Sequence, residues 1–344
     1  MLTTNGKKKA LEGDVVELLE DYPKYNLKKG QRGIVITEFD EPEEAYDLEI
    51  EDQQGNFNSF AYSVKPEHIV NLTRDAIDRG LKCLNDGDVL AAKKEFEYAI
   101  ELRPGLIGTL HNVLMTNLAN VEAWETAASC MRLLLELNPF YEHARDSLAT
   151  AYLNWGVQNA KQGNTTDAIF LFLRASAITS HPEINERIRL NFAATYWSLG
   201  VSAFRKGDVD ETRGLMRLAC AYYPSLVVRE NLAIACVHSA HFYMANSRFE
   251  KAIDAFEEAE QIGLVWSDFI NDYGIALTAV GRRDDARRAF ERALALAPDD
   301  AIIKANLNRL LHKESADSFV REEKRYDFVP LELLAQSVHV AATA

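Results

Sequence analysis

Cys236, His238 and His241 lie within six residues of one another and carry side chains that can ligate a transition metal. On a helix His238 and His241 share a face while Cys236 points elsewhere, and a structural zinc site takes about four ligands. The trio therefore reads as two imidazoles lining a groove, with no metal and no other cofactor. The acidic pairs Glu257-Glu258 and Asp284-Asp285 fall on solvated faces of predicted helices. No Walker phosphate loop, nucleophile elbow, His-Glu-x-x-His or Cys-x-x-Cys occurs. No catalytic residue is assigned, and the chemistry expected of this chain is recognition.

Composition narrows what could be recognised. The 344 residues are 47% hydrophobic and 26% charged, with 38 Lys+Arg against 52 Asp+Glu and a net charge of -14. An acidic average surface repels phosphate, so nucleic acid is not an expected partner. No run of about 18 apolar residues could form a membrane span, and no secretory leader is evident at Met1–Ala10. The four cysteines, Cys83, Cys130, Cys220 and Cys236, are scattered on predicted helical faces, which suits small buried hydrophobes in a reducing, cytoplasmic setting.

The elements that must position any site repeat themselves. Gly80, Gly87, Ala92, Phe96, Ala99 and Pro104 recur with identical spacing as Gly274, Gly281, Ala286, Phe290, Ala293 and Pro298. The small residue of a first helix (Gly80, Gly156, Gly200, Ala240, Gly274) and the Ala of a second (Ala92, Ala127, Ala168, Ala252, Ala286) let the two approach closely. Phe96, Phe172, Phe256 and Phe290 fill the space between hairpins. Gly87, Gly163, Gly207 and Gly281 suit left-handed helix ends. Asp88, Asn164 and Asp208 can cap the helix that follows, Ser247 with Glu250 forms a capping box, and Pro104, Pro139, Pro224 and Pro298 stop second helices.

In these residues the chain resembles the tetratricopeptide-repeat (TPR) family over about 73–312. The resemblance implies a mainly α fold, a right-handed α-solenoid of six hairpins ended by a capping helix from Asp300 to about His312. The second unit (about 107–140) has no glycine turn, the fourth has Thr212 in place of Ala, and the fifth lacks the turn Gly and the Pro. Successive turns lie 44 residues apart from Gly163 to Gly207 and 40 from Gly207 to Ser247, against 34 from Ser247 to Gly281. The first helices of units three to five are therefore expected to be longer by one to two turns.

Residues 11–70 have another texture. Asp14–Leu19, Arg32–Glu38, Tyr46–Glu51 and Phe57–Val64 are β-type runs separated by turn residues, which predicts a small SH3-like β-barrel. Leu27-Lys28-Lys29-Gly30-Gln31-Arg32-Gly33-Ile34-Val35, closing with Lys65-Pro66-Glu67-His68-Ile69, is similar to small bacterial SH3-like domains of unknown function. It also resembles the KOW element of ribosome- and polymerase-associated factors. That second resemblance implies RNA, yet residues 1–70 hold eight basic and fifteen acidic side chains. The short connection to Thr73 favours a module packed on the first hairpin over an independent ligand domain. Residues 1–10 are expected to be disordered.

The TPR resemblance implies a concave groove lined by first helices. Counting from each helix-contact residue, the lining is Ile77, Leu81, Asn112, Thr116, Leu153, Trp197, Val201, Phe204, His238, His241, Met244, Asn271 and Ile275. Trp197, Phe204 and Met244 could equally pack between repeats. The family's lysine/arginine and asparagine clamp for a terminal carboxylate is absent, since Ile77, Leu81, Val113, Thr150 and Asn154 hold those positions. The function implied is a non-enzymatic scaffold that takes a peptide or helical segment of a protein partner. A peptide-responsive regulatory subunit and an RNA-associated factor are the alternatives. The tail, 313–344, is read first as disordered, then as docked on the last repeat, then as lying in the chain's own groove. Leu331, Leu333 and Leu334 are its expected apolar anchors.

Overall fold

Alternating burial along Ala45–Glu51, with Tyr46, Leu48 and Ile50 inside, makes a strand with one wet face. In the computed structural model it is β3 of a five-stranded antiparallel sheet. The others are β1 (Val15–Leu18), β2 (Arg32–Phe39), β4 (Phe57–Val64) and β5 (Ile69–Asn71), in the order β4-β3-β2-β1-β5. The structure describes residues 9–41, 43–52, 54, 56–119, 123–263, 265–321 and 326–331, and of residues 58 and 116–119 the backbone alone. Two compact units divide these residues, one ending at Leu148 and the other starting at Ala149.

The sheet belongs to the first unit, with α1 (Leu72–Asn85), α2 (Val89–Leu102), α3 (Ile107–Ala119) and α4 (Trp124–Leu137). Val16, Leu18, Val35, Tyr46, Leu48, Ile50, Val64 and Ile69 form its own small core. One buried carboxylate joins it to the helices. Asp14 accepts from Arg103 Nη1 at the end of α2 (2.8 Å), from Asn71 Nδ2 at the end of β5 (2.8 Å) and from the Leu11 amide (3.0 Å). Val15 N donates to Thr73 Oγ1 in α1, and Asn71 caps that helix by accepting from Arg74 N. The packed arrangement expected from the short connection is what these bonds produce. Residues 1–8 of the segment expected to be disordered lie outside the described residues. Lys9 and Ala10 depart from that expectation: Lys9 pairs with Asp40 and Glu38, and buried Ala10 donates its amide to Tyr46 Oη.

The second unit continues α5 (Glu142–Lys161) from its residue 149 and holds α6 (Thr165–Ile178), α7 (Pro182–Arg205), α8 (Val209–Tyr222), α9 (Leu226–Ala245), α10 (Phe249–Gln261), α11 (Ser267–Ala279), α12 (Arg283–Leu296) and α13 (Ala301–Leu311). These helices alternate as TPR-like hairpins, with α13 as the capping helix. First helices α5, α7 and α9 run 20, 24 and 20 residues, against 14, 13 and 13 for α1, α3 and α11. The extra residues of the long repeats are helical.

Four hairpins close on a missing side chain. A Cβ built on Gly80, Gly156 or Gly274 would meet the ring of Phe96, Phe172 or Phe290 at 2.4, 2.5 and 2.7 Å, well inside van der Waals contact. At Gly200 the obstacle is the Met216 methyl, at 2.9 Å. Asp88 and Asp208 cap α2 and α8 by accepting from Ala91 N and Glu211 N, while Asn164 makes no such bond. Ser247 is not the cap of α10. It sits at φ +55°, in the left-handed place that Gly87, Gly163, Gly207 and Gly281 occupy elsewhere, and Arg248 is the residue before the helix. The closing turn needs that conformation, so the geometry recurs here although the residue is not glycine.

Two stability outcomes follow. Alanine at Gly80, Gly156 or Gly274 should destabilise by about 1–3 kcal/mol, because a rigid ring has to move. At Gly200 the unbranched Met216 can swing aside, and the helix gains the better propensity of Ala, so the change should be under about 1 kcal/mol. Urea unfolding of the four variants measures the difference. Arg103→Ala should cost about 2–3 kcal/mol by leaving Asp14 buried without its cation, read as earlier loss of both β-sheet and helical signal.

Candidate functional site

The described residues of the tail lie across first helices of the second unit. The tail enters at α13, where buried Asn306 closes two hydrogen bonds on one tail residue: Nδ2 donates to Val320 O (2.7 Å) and Oδ1 accepts from Val320 N (3.0 Å). Asn306 Nδ2 also donates to Asn271 Oδ1 in α11 (2.9 Å), and Arg309 Nη1 donates to Asn306 Oδ1 (3.1 Å). Phe319 stacks on Phe290, centroids 5.9 Å apart. Nine residues on, Asn231 of α9 repeats the arrangement. Its Nδ2 donates to Val329 O (2.8 Å) and its Oδ1 accepts from Val329 N (2.7 Å).

A primary amide presents an N–H donor and a C=O acceptor side by side on one edge, matching the C=O and N–H of an extended residue, and keeps a second N–H free for another partner. Such a pair holds the backbone and ignores the side chain. Asn231 and Asn306 are fully buried, so each amide would be costly to leave unpaired.

Along 326–331, Tyr326, Phe328, Val329 and Leu331 are half-buried while Asp327 and Pro330 are exposed. Tyr326 stacks on Trp266, 5.1 Å away and 16° from parallel. Phe328 meets Phe204 edge-on at 5.2 Å and the His238 ring at 5.8 Å. Leu331 packs on the cluster of Ala193, Ala219 and Val228. The tail thus passes from α13 to α9 and then α7, opposite to the order of the repeats.

His238 fixes the middle of the segment. Its Nε2 donates to Tyr326 O (2.7 Å), which sets the tautomer, since a carbonyl can only accept. Burial holds this imidazole below its ordinary value, and His241 adds to that effect. The Tyr326 carbonyl and Asp327 act the other way. His241 Nε2 lies 2.8 Å from Asp272 Oδ2. Burial pushes the Asp272 carboxyl up, opposed by His241 and by Arg321 of the tail.

The residues expected to line a groove are dispersed between the units. Ile77, buried, and Leu81, half-buried, lie on α1, and exposed Asn112 lies on α3, all in the first unit. Thr116 is in α3, and its side chain lies outside those described. In the second unit Leu153 is fully buried in α5. Phe204 and His238 touch the tail directly. Trp197, Val201 and Met244 are half-buried against the core that also carries Tyr326 and Phe328, and Ile275 is part of that core. Asn271 reaches the tail through Asn306. Cys236 is buried away from the imidazoles, where desolvation and the neighbouring Glu258 raise its thiol.

Asn231, Trp266 and Asn306 were not among the expected residues. The signal for Asn231 was present: Asn191 and Asn231 each stand nine positions before the small contact residue of their helices, Gly200 and Ala240. Of the expected tail anchors Leu331 is seated, and Leu333 and Leu334 lie outside the described residues. The described tail takes the second and third of the three places expected for it: Phe319 docks on Phe290 of the last repeat, and residues 326–331 lie along the first helices before it.

Comparison with known proteins adds fold likeness. Residues 12–59 match the family model described as "Domain of unknown function (DUF4926)". No curated protein matches the chain. Among solved structures, the first TPR of Spaghetti (RPAP3) bound to HSP90 peptide SRMEEVD is similar at 20% identity, over 36% of this chain and 94% of that one, with TM-score 0.27. The TPR domain of P58(IPK) is similar at 14% identity over 70% and 64% of the two chains, TM-score 0.30. A thermophilic TPR protein of Thermus thermophilus is similar at 16% identity over 70% and 99%, TM-score 0.23. The chain carries an N-terminal β module matching that family of unknown function, followed by helical hairpins of the TPR type.

Proposed function

We propose that this protein is a non-enzymatic interaction scaffold whose second unit binds an extended segment of a protein partner along α7, α9, α11 and α13. One observation carries the reading: Asn231 and Asn306 each close two hydrogen bonds on the backbone of a single tail residue. Side chains placed this way can hold any extended peptide, and the aromatic sockets at Trp266 and Phe204–His238 supply selectivity. The partner is a protein, not nucleic acid or membrane: the net charge of -14 disfavours phosphate, and no described helix is long and apolar enough to cross a bilayer. Four free cysteines suit a reducing compartment such as the cytoplasm. The peptide-responsive regulatory reading gains support from the tail itself, because a partner has to displace it.

A synthetic peptide with the sequence of residues 315–331 should bind the full chain carrying Tyr326→Ala and Phe328→Ala, which loosen its own tail. Adding Asn231→Ala should weaken that binding about tenfold or more, from two lost hydrogen bonds. Calorimetry that finds no binding to the loosened chain would sink the reading.

Tail docking should also depend on pH. The docked His238 has its pKa below the ordinary value of about 6.5, so the released form takes up the proton more readily. Docking is then complete above about pH 6.5 and weakens as pH falls through the docked value. Trp266 emission should report release of the stacked Tyr326 between about pH 7 and 5. His238→Gln, which keeps a donor without titrating, should flatten that response.

A further inference from the structure

Where the described tail ends, unpaired polar atoms begin. Asn191 of α7 is fully buried, and its Oδ1 has no hydrogen-bond partner, while its Nδ2 donates to Arg187 O (2.8 Å). Thr195, one turn later and 1% exposed, has an unpaired Oγ1. On α5, Asn154 is buried with its Nδ2 unpaired. By contrast the buried amides of Asn231, Asn271 and Asn306 all have partners. An orphaned buried polar group is costly and calls for a ligand that pairs it.

Register identifies the ligand. Asn191 occupies on α7 the position that Asn231 occupies on α9, nine residues before the small contact residue, and both are fully buried. Asn231 commits both its polar atoms to one extended residue of the tail. The tail runs toward α7, and Leu331 already packs on the cluster to which Ala193 of that helix belongs. From Val320 at α13 to Val329 at α9 it advances nine residues over two first-helix steps, or four to five per step.

Resting on the reading of the groove given above, we infer that Asn191, with Thr195, is a further backbone-binding subsite. It takes the stretch of an extended partner peptide that follows the residue seated like Leu331. The contact falls four or five residues beyond the one held by Asn231, where Asn191 Oδ1 accepts a main-chain N–H. Because only backbone is read there, the subsite accepts any side chain compatible with an extended chain.

Two probes test this on the full chain carrying Tyr326→Ala and Phe328→Ala: the 315–331 peptide, and the same peptide lengthened by six alanines. The longer probe should bind about three- to tenfold tighter, the range of one hydrogen bond to a buried acceptor. Asn191→Ala should erase that gain and leave the shorter probe unchanged. Replacing a single amide by an ester, four or five residues past the Val329 position, should erase it equally with the protein untouched, so a folding defect in the variant cannot decide the matter. Equal affinity of the two probes, both weakened by Asn231→Ala, overturns the subsite and leaves the groove. A gain insensitive to Asn191→Ala and to the ester overturns it too. Failure of both probes to bind overturns both readings.

Discussion

Close approach of paired helices is the constraint from which the rest of the molecule follows. Where Phe96, Phe172 and Phe290 lie directly over Gly80, Gly156 and Gly274, the first helix contributes no side chain to the contact and the ring of the second rests on its backbone. That contact fixes which face of each first helix is left over. In the second unit the leftover face is neither fully apolar nor charged. It carries asparagines, a threonine and two histidines, many of them buried. Such residues are poor helix formers and poor core. Two of the asparagines, Asn231 and Asn306, are paired there by the backbone of the tail laid across the face.

The hold on the tail in this unit divides between backbone and side chain. Asn231 and Asn306 bind its main chain at two points, and the rings of Trp266, Phe204 and His238 meet its side chains. Elongation of α7 and α9 makes room for both, since it puts Asn191 and Asn231 more than two turns away from the close helix contact at Gly200 and Ala240. The first unit follows a different logic. There a single buried carboxylate, Asp14, binds sheet, strand end and helix end together.

Much of the fold was legible in the sequence because its determinants are local. Period-two burial gave the four longer strands nearly to the residue, and glycine, alanine and phenylalanine at fixed spacing gave the hairpins and the long first helices. Ser247 misled because Ser-x-x-Glu is an ordinary capping pattern, whereas here the turn demands a left-handed residue and takes serine for it. Lys9 looked like part of a loose tag, and only its partners Asp40 and Glu38, about thirty residues away, reveal its place. The site was less legible. Counting from the helix contact found Phe204 and His238, which touch the tail, but also Ile77 and Leu153, which are buried in packing. Asn231 escaped because its role depends on a segment 98 residues later in the chain.

The tail is joined covalently to the surface it covers, and that changes the meaning of affinity for this protein. A tethered segment faces its site at an effective concentration on the order of millimolar, whatever the concentration of the protein. A free peptide making the same contacts as Tyr326, Phe328 and Val329 would have to approach that level to win half the sites. Dilution cannot open the groove, and neither can modest overexpression of a weak ligand. The covalent link therefore sets a threshold: a free segment that takes the contacts of Tyr326, Phe328 and Val329 has to overcome the tethered one.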